Sequence, residues 1–308
     1  MYPYHGSGPY CFANSLAMVL GSDAPPPSVI EVLTGSPFGL VLLGGQLPLF
    51  NPYGWDPDIG LDDAIALLGW ACHRQGAEDD EQALAMLHEA VKAGPVLAGP
   101  VEMGLLRQQP GMTEPVGADH FVAVLEVDAT LVRFHDPNGH PYTTLPIKEF
   151  LAAWRAETIT YRTTSYTMRS DFRRIREVGQ DEALRAALPG AIAWLRGRGD
   201  VTTWPGTVAG AGAADRLASM VSGGLDAGTR AHLAQFAIRV GARRLTDAAT
   251  ALAGIGRGRA AGVATRQARL VGGLQYDILN AATARAAEAL RRLAPTYHEF
   301  ADALDVDQ

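Results

Sequence analysis

The chain has 308 residues, long for one domain and comfortable for two. With 47% hydrophobic and 19% charged residues it is neither disordered nor fibrous, and no run reaches the ~18 uninterrupted apolar residues that a membrane span requires. A net charge of −7 argues against nucleic acid and anionic membrane as partners, and the opening MYPYHGSGPY, with no basic segment followed by an apolar one, points to a cytoplasmic protein.

Cys11 and Cys72 make no disulfide framework, and eight scattered His without Cys-x-x-Cys or His-Glu-x-x-His spacing predict no metal site. No glycine-rich nucleotide loop is present, so no cofactor is implied. Charge is unevenly divided: residues 1–168 hold 7 Lys/Arg against 19 Asp/Glu, whereas residues 169–308 hold 19 against 14. That change of sign predicts two domains, 1–168 and 169–308, the second suited to an acidic partner.

In chain order, Phe12, Leu16, Val19 and Leu20 mark one stripe of a helix from Cys11 to Leu20, with Gly21 available to end it. Ser28 and Glu31 have capping-box spacing for a short helix to about Thr34. The aperiodic stretch 36–60, rich in Gly, Pro and aromatics, reads as a long, partly buried loop, in which Tyr53 and Trp55 either line a pocket or form a lid. Helices are predicted at about 61–69 and 80–92. Strands follow at 95–103, 120–127 and 130–136, the last two joined as a hairpin. A helix at about 147–155 and a strand at about 158–168 complete an α+β domain. Beyond residue 170 the pattern is helical throughout, for about five helices.

Three residues carry the chemistry. Cys11 stands at a helix N-terminus behind a Gly/Pro run that leaves its sulfur accessible, where the positive end of the helix dipole favours thiolate. His120, at the start of a strand, is placed to take the thiol proton, and Asp136, at the end of the next strand, to fix the imidazole tautomer. Asp136 also begins the turn Asp-Pro-Asn-Gly, where Asn138 is an alternative orienting residue. Cys72 reads as an inert core thiol, and His135 and His140 as solvated residues flanking the turn.

The run Cys11, then Ala118-Asp119-His120-Phe121-Val122-Ala123-Val124, then His135-Asp136-Pro137-Asn138-Gly139, then Leu145-Pro146-Ile147-Lys148-Glu149-Phe150 before Trp154 resembles the papain-like cysteine-peptidase fold in its C39-peptidase branch. The whole chain resembles the butirosin-biosynthesis BtrH-like acyltransferases, which join such a domain to an all-helical C-terminal domain. The resemblance implies transfer of an aminoacyl group from a carrier-protein thioester, through the Cys, to an amine of a small molecule in antibiotic-type metabolism. No cofactor beyond the donor's phosphopantetheine is implied. The position where papain-like enzymes carry an oxyanion-donating Gln is occupied by His5, whose imidazole is a substitute donor. An acidic acyl carrier protein would dock on a basic face of the second domain, with Arg257 and Arg259 as candidates beside Arg266 and Arg269, and Arg173, Arg174 and Arg176 as another cluster. Two other readings stand beside this one: a cysteine hydrolase (peptidase, amidase or thioesterase) with water as acceptor, and a papain-like module that only binds.

Overall fold

The computed structural model describes residues 9–305. In chain order its elements are α1 (Cys11–Leu20), α2 (Pro27–Leu33), β1 (Val41–Leu43), β2 (Leu47–Leu49), α3 (Pro57–Leu67), β3 (Trp70–Gln75), α4 (Asp80–Ala90), β4 (Val96–Glu102), β5 (Asp119–Val127), β6 (Leu131–Asp136), β7 (His140–Pro146), α5 (Ile147–Trp154) and β8 (Met168–Arg174). Then come α6 (Gln180–Arg196), β9 (Val208–Ala209), α7 (Gly210–Gly223), α8 (Ala227–His232), α9 (Ile238–Gly254), α10 (Gly258–Leu279), α11 (Thr283–Leu293) and α12 (Thr296–Asp305). A π-helical turn, Leu233–Ala237, joins α8 to α9. The fold is mixed α+β with two antiparallel sheets and a helical C-terminal region.

Contacts divide the chain into two compact units, and neither is contiguous. One takes the chain up to Pro27 and Leu68–Glu177; the other takes Ser28–Leu67 and the chain from Val178 onward. The charge pattern suggests a single break at 168. Two things shift the division: β8 carries the first unit's sheet past that point, and residues 28–67 pack with the C-terminal helices.

The first unit is built on a six-stranded sheet of order β3-β8-β4-β5-β6-β7. Strand β5 is central and apolar, HFVAV being buried without a break, as a strand covered on both faces must be. On one side, α5 packs Phe150 against Phe134 and Trp154 against Tyr166, with ring centroids 5.5 and 5.6 Å apart. Helix α1 also packs on β5, setting Phe12 edge-on to Phe121 at 6.2 Å. It has no solvent face, since Phe12 to Leu20 are all buried, which is why its apolar content exceeds the single stripe. Strand β4 shifts register between Ala98 and Val101, and Gly99 lies there because a Cβ would come within 2.3 Å of the Phe121 ring.

Glu102 closes β4 with a buried carboxylate. It accepts from the backbone N–H of Gly104, Val116 and Gly117 at 2.9–3.1 Å, and from the Thr158 hydroxyl. Those bonds tie both ends of the 103–118 connection to the sheet.

In the second unit a three-stranded sheet, β2-β1-β9, and the helices share a core with α2. Glu31 is not the capping residue its spacing suggests. The helix begins at Pro27, so Ser28 is already inside it, and Glu31 is fully buried. Its Oε1 accepts from Arg244 Nε at 2.7 Å and from the Ser36 hydroxyl at 2.9 Å, while Arg244 also donates to the Phe50 carbonyl and lies over the Trp55 ring. Burial outweighs the attraction of Arg244 and holds the Glu31 carboxyl above its usual range. Trp55 donates to the Thr34 carbonyl, and Gly241 on α9 leaves room for the Phe50 ring, 2.4 Å from where a Cβ would stand. The stretch expected as loop therefore holds a hairpin and several of this unit's buried core residues, among them Phe38, Leu42, Phe50 and Trp55. Seven α-helices follow residue 178 among the described residues, against the five expected. The strand expected at 158–168 begins instead at Met168, and β3 and β7 are additional strands.

Candidate active site

Helix α1 starts at Cys11 because the residue before it leaves the helical path. Tyr10 is in the left-handed region (φ 93°, ψ 38°), a strained conformation for a buried aromatic, and its carbonyl accepts the first helical bond, from Asn14 N–H at 2.8 Å. The N-cap residue, Tyr10, makes no side-chain cap bond, and Cys11 itself is half-buried. The hydroxyl of Ser15 donates to the Phe121 carbonyl at 2.9 Å, anchoring α1 beside the start of β5.

His120 is 6% exposed. Its Nε2 is 2.8 Å from Asp136 Oδ1, and the Cys11 side chain is near enough to act on the charge of the same imidazole. The structure thus brings together the three residues that the sequence singles out. Burial opposes charge on the imidazole, but the bond to Asp136 and the interaction with Cys11 outweigh it and push His120 up to about 10. Burial likewise opposes ionisation of Asp136, and its bonds to His120, the Asn138 backbone and Gln109 bring it down to about 2. The two shifts are largely one interaction seen from both partners, so they do not add.

Asp136 is fully buried and both its oxygens are engaged. Oδ1 takes His120 and the Asn138 backbone N–H at 2.8 Å; Oδ2 takes the side-chain amides of Gln108 and Gln109, each at 2.8 Å. Asn138 Nδ2 donates to Gln109 Oε1 at 2.9 Å. Asp136 rather than Asn138 contacts the imidazole, and Asn138 supports it from behind. Gln108 and Gln109 escaped the sequence reading; their only signal is a pair of amides before Pro110-Gly111 in the connection that Glu102 staples down.

Other candidates fall elsewhere. His5 lies outside the described residues. Cys72 is not in the core: it is half-buried on β3, an edge strand. His135 is not solvated either; it is fully buried, accepts from Tyr142 N–H at 3.0 Å and stacks edge-on to that ring. His140 is half-buried at the start of β7. Arg173 and Arg174 belong to β8 in the first unit, paired with Asp171 and Asp23. In the second unit Arg266 pairs with Glu299, whereas Arg257 and Arg259 form no ion pair among the described residues; Arg259 is exposed, and Arg257 buries its Nε. No group of metal-ligating side chains and no helix long and apolar enough to cross a membrane occurs among the described residues.

Residues 203–305 match the YobF C-terminal domain family. Over 165 residues the chain is 34% identical to an uncharacterised protein, YobF, of Bacillus subtilis (strain 168). That alignment spans 53% of this chain and 53% of the relative, about half the length of each.

Proposed function

We propose that this protein is a cysteine-dependent acyltransferase whose first unit is papain-like. One observation carries the reading: Cys11, at a helix N-terminus, lies beside an imidazole whose Nε2 is held by a buried carboxylate. This is the arrangement that nucleophile, base and orienting group require in covalent catalysis. The ring orientation differs from that of the serine-protease triad, because it is Nε2 that faces the carboxylate.

In the proposed cycle the Cys11 proton passes to His120, and the thiolate adds to the carbonyl carbon of a thioester. The tetrahedral intermediate collapses, and the departing thiolate of the donor takes the proton from His120. An amine then attacks the acyl-Cys11 carbonyl and gives a proton to His120, and Cys11 leaves as thiolate beside the imidazolium. One thioester and one amine become one amide and one thiol, with no other reactant consumed. The donor and acceptor classes rest on the resemblance to BtrH-like proteins, and docking of an acyl carrier protein at Arg257 and Arg259 rests on the excess of Lys/Arg after residue 168.

The test is intact-mass detection of acyl-enzyme after mixing with an acyl-N-acetylcysteamine thioester. An adduct on Cys11, absent in Cys11→Ala and discharged faster by added amines than by water, supports transfer. An adduct that water discharges at the same rate with every amine tried makes the protein a hydrolase, and no adduct with any thioester removes the acyl-enzyme reading.

A further inference from the structure

The acyl-transfer reading needs His120 held in one orientation, and resting on that reading we propose that Gln108 and Gln109 are positioning residues that lock the Asp136 carboxylate. Both amides donate to Oδ2, which leaves Oδ1 as the oxygen that meets His120 Nε2. A carboxylate free to rotate about its last bond would offer either oxygen, and the imidazole would turn with it. The lock fixes the plane of Asp136, and hence the ring of His120 beside Cys11.

Two features show that the pair is directed at the carboxylate and not at general packing. The Oε1 atom of Gln108 is buried and has no hydrogen-bond partner among the described residues, so the bond this amide makes there is the one its Nε2 donates to Asp136. Asp136 sets its orientation, since turning the amide over would put oxygen against oxygen. Gln109, 3% exposed, is fixed from the other side by Asn138, so the second donor cannot swing away. Both sit on the connection that Glu102 fastens through Gly104, Val116 and Gly117, which gives the lock a rigid mount.

The titratable groups acting on His120 are Cys11 from α1 and Asp136 from β6. From the neighbouring strand β4, Glu102 spends its carboxylate on that connection, and Asp119 on β5 accepts from the Tyr161 hydroxyl. A change in the titration of His120 after substitution of the glutamines therefore reports on Asp136 or on the thiol.

Gln108→Met and Gln109→Met keep the length of each side chain and remove the donor. In the double variant, His120, followed by NMR of nitrogen-labelled histidine and assigned by its loss in His120→Gln, should titrate about one pH unit lower than in the unaltered protein, a tenfold fall in proton affinity. The pH profile of Cys11 alkylation by iodoacetamide should change with it. Should the double variant fail to fold, Gln108→Met alone carries the test with a smaller shift in the same direction. A folded variant with a lower melting temperature but an unchanged titration and alkylation profile makes the pair structural and overturns the proposal. If the unaltered protein itself shows His120 in the ordinary imidazole range and Cys11 no more reactive than Cys72, the acyl-transfer reading fails, and the lock with it.

Discussion

Ser15 and Phe121 are joined by a hydrogen bond of 2.9 Å, and each stands next to one half of the candidate site: Ser15 one helical turn after Cys11, Phe121 one residue after His120. The bond is a short tether between nucleophile and base. Ser15→Ala should cost about 1 kcal/mol in unfolding free energy. It should also slow Cys11 alkylation severalfold by letting α1 drift from β5. Chemical denaturation and iodoacetamide kinetics on the same variant check both. A loss of stability with no change in thiol reactivity would mean that the tether does not position the sulfur.

Cys11 and Cys72 are both half-buried, so exposure alone predicts similar labelling. With a charged imidazole at one of them, reactivity should differ by tenfold or more near neutral pH. His120→Ala should abolish most of that difference. Peptide mapping after a short iodoacetamide pulse gives the ratio directly.

Asp136→Asn keeps the volume but removes the charge that holds the imidazolium. It should depress His120 toward the ordinary range and lower acyl-enzyme formation by orders of magnitude, on the scale of ~10⁴ seen when a triad carboxylate is so replaced. Part of the cost comes from the two glutamine amides, which would then face an amide. A rate within threefold of the unaltered protein would exclude Asp136 as the orienting group.

The same pair sets a pH dependence of stability. His120 is raised on folding, so its contribution is complete below about 6.5 and declines as pH rises toward about 10. Asp136 is lowered, so its contribution is present above about 4 and is lost as pH falls toward about 2. Melting temperature should therefore fall on both sides of a plateau between roughly pH 4 and 6.5. In Asp136→Asn the alkaline decline should flatten, which a series of thermal melts would reveal.

In the second unit, removing one partner of Glu31–Arg244 should be severe. Arg244→Met leaves Glu31 buried without its cation, a change worth about 3–5 kcal/mol. Adding Glu31→Leu should recover much of the loss, because a buried ion pair contributes little over well-packed apolar groups. Recovery by the double substitution separates electrostatic isolation from poor packing.

Much of the candidate site is legible in the sequence because its residues lie where patterns are strong. The stripe of Phe12, Leu16, Val19 and Leu20 fixes α1, and β-branched runs fix β5 and β6, so Cys11, His120 and Asp136 fall at element ends. Strand β3 was missed because WACHRQ is an edge strand with too few apolar residues to alternate, and β7 because prolines stand near both of its ends. Gln108 and Gln109 lie in an irregular connection whose shape depends on Glu102, and no periodicity reports on such a segment. The segment 36–60 looked like loop because β1 and β2 are only three residues each and its buried aromatics have no spacing to reveal their partners.

The interleaving of the two units has a consequence during synthesis. Glu31 leaves the ribosome 213 residues before Arg244, and with it emerge Ile30, Leu33, Phe38, Leu42 and Phe50, all of which end in a core whose other side has yet to be made. Until α9 arrives, a nascent chain carries that apolar segment without its cover, the state in which aggregation competes with folding. A gene cut between residues 168 and 178 would make the condition permanent, so the thiol-bearing unit is not an exchangeable cassette: moving it to another protein means excising 28–67 and joining Pro27 to Leu68.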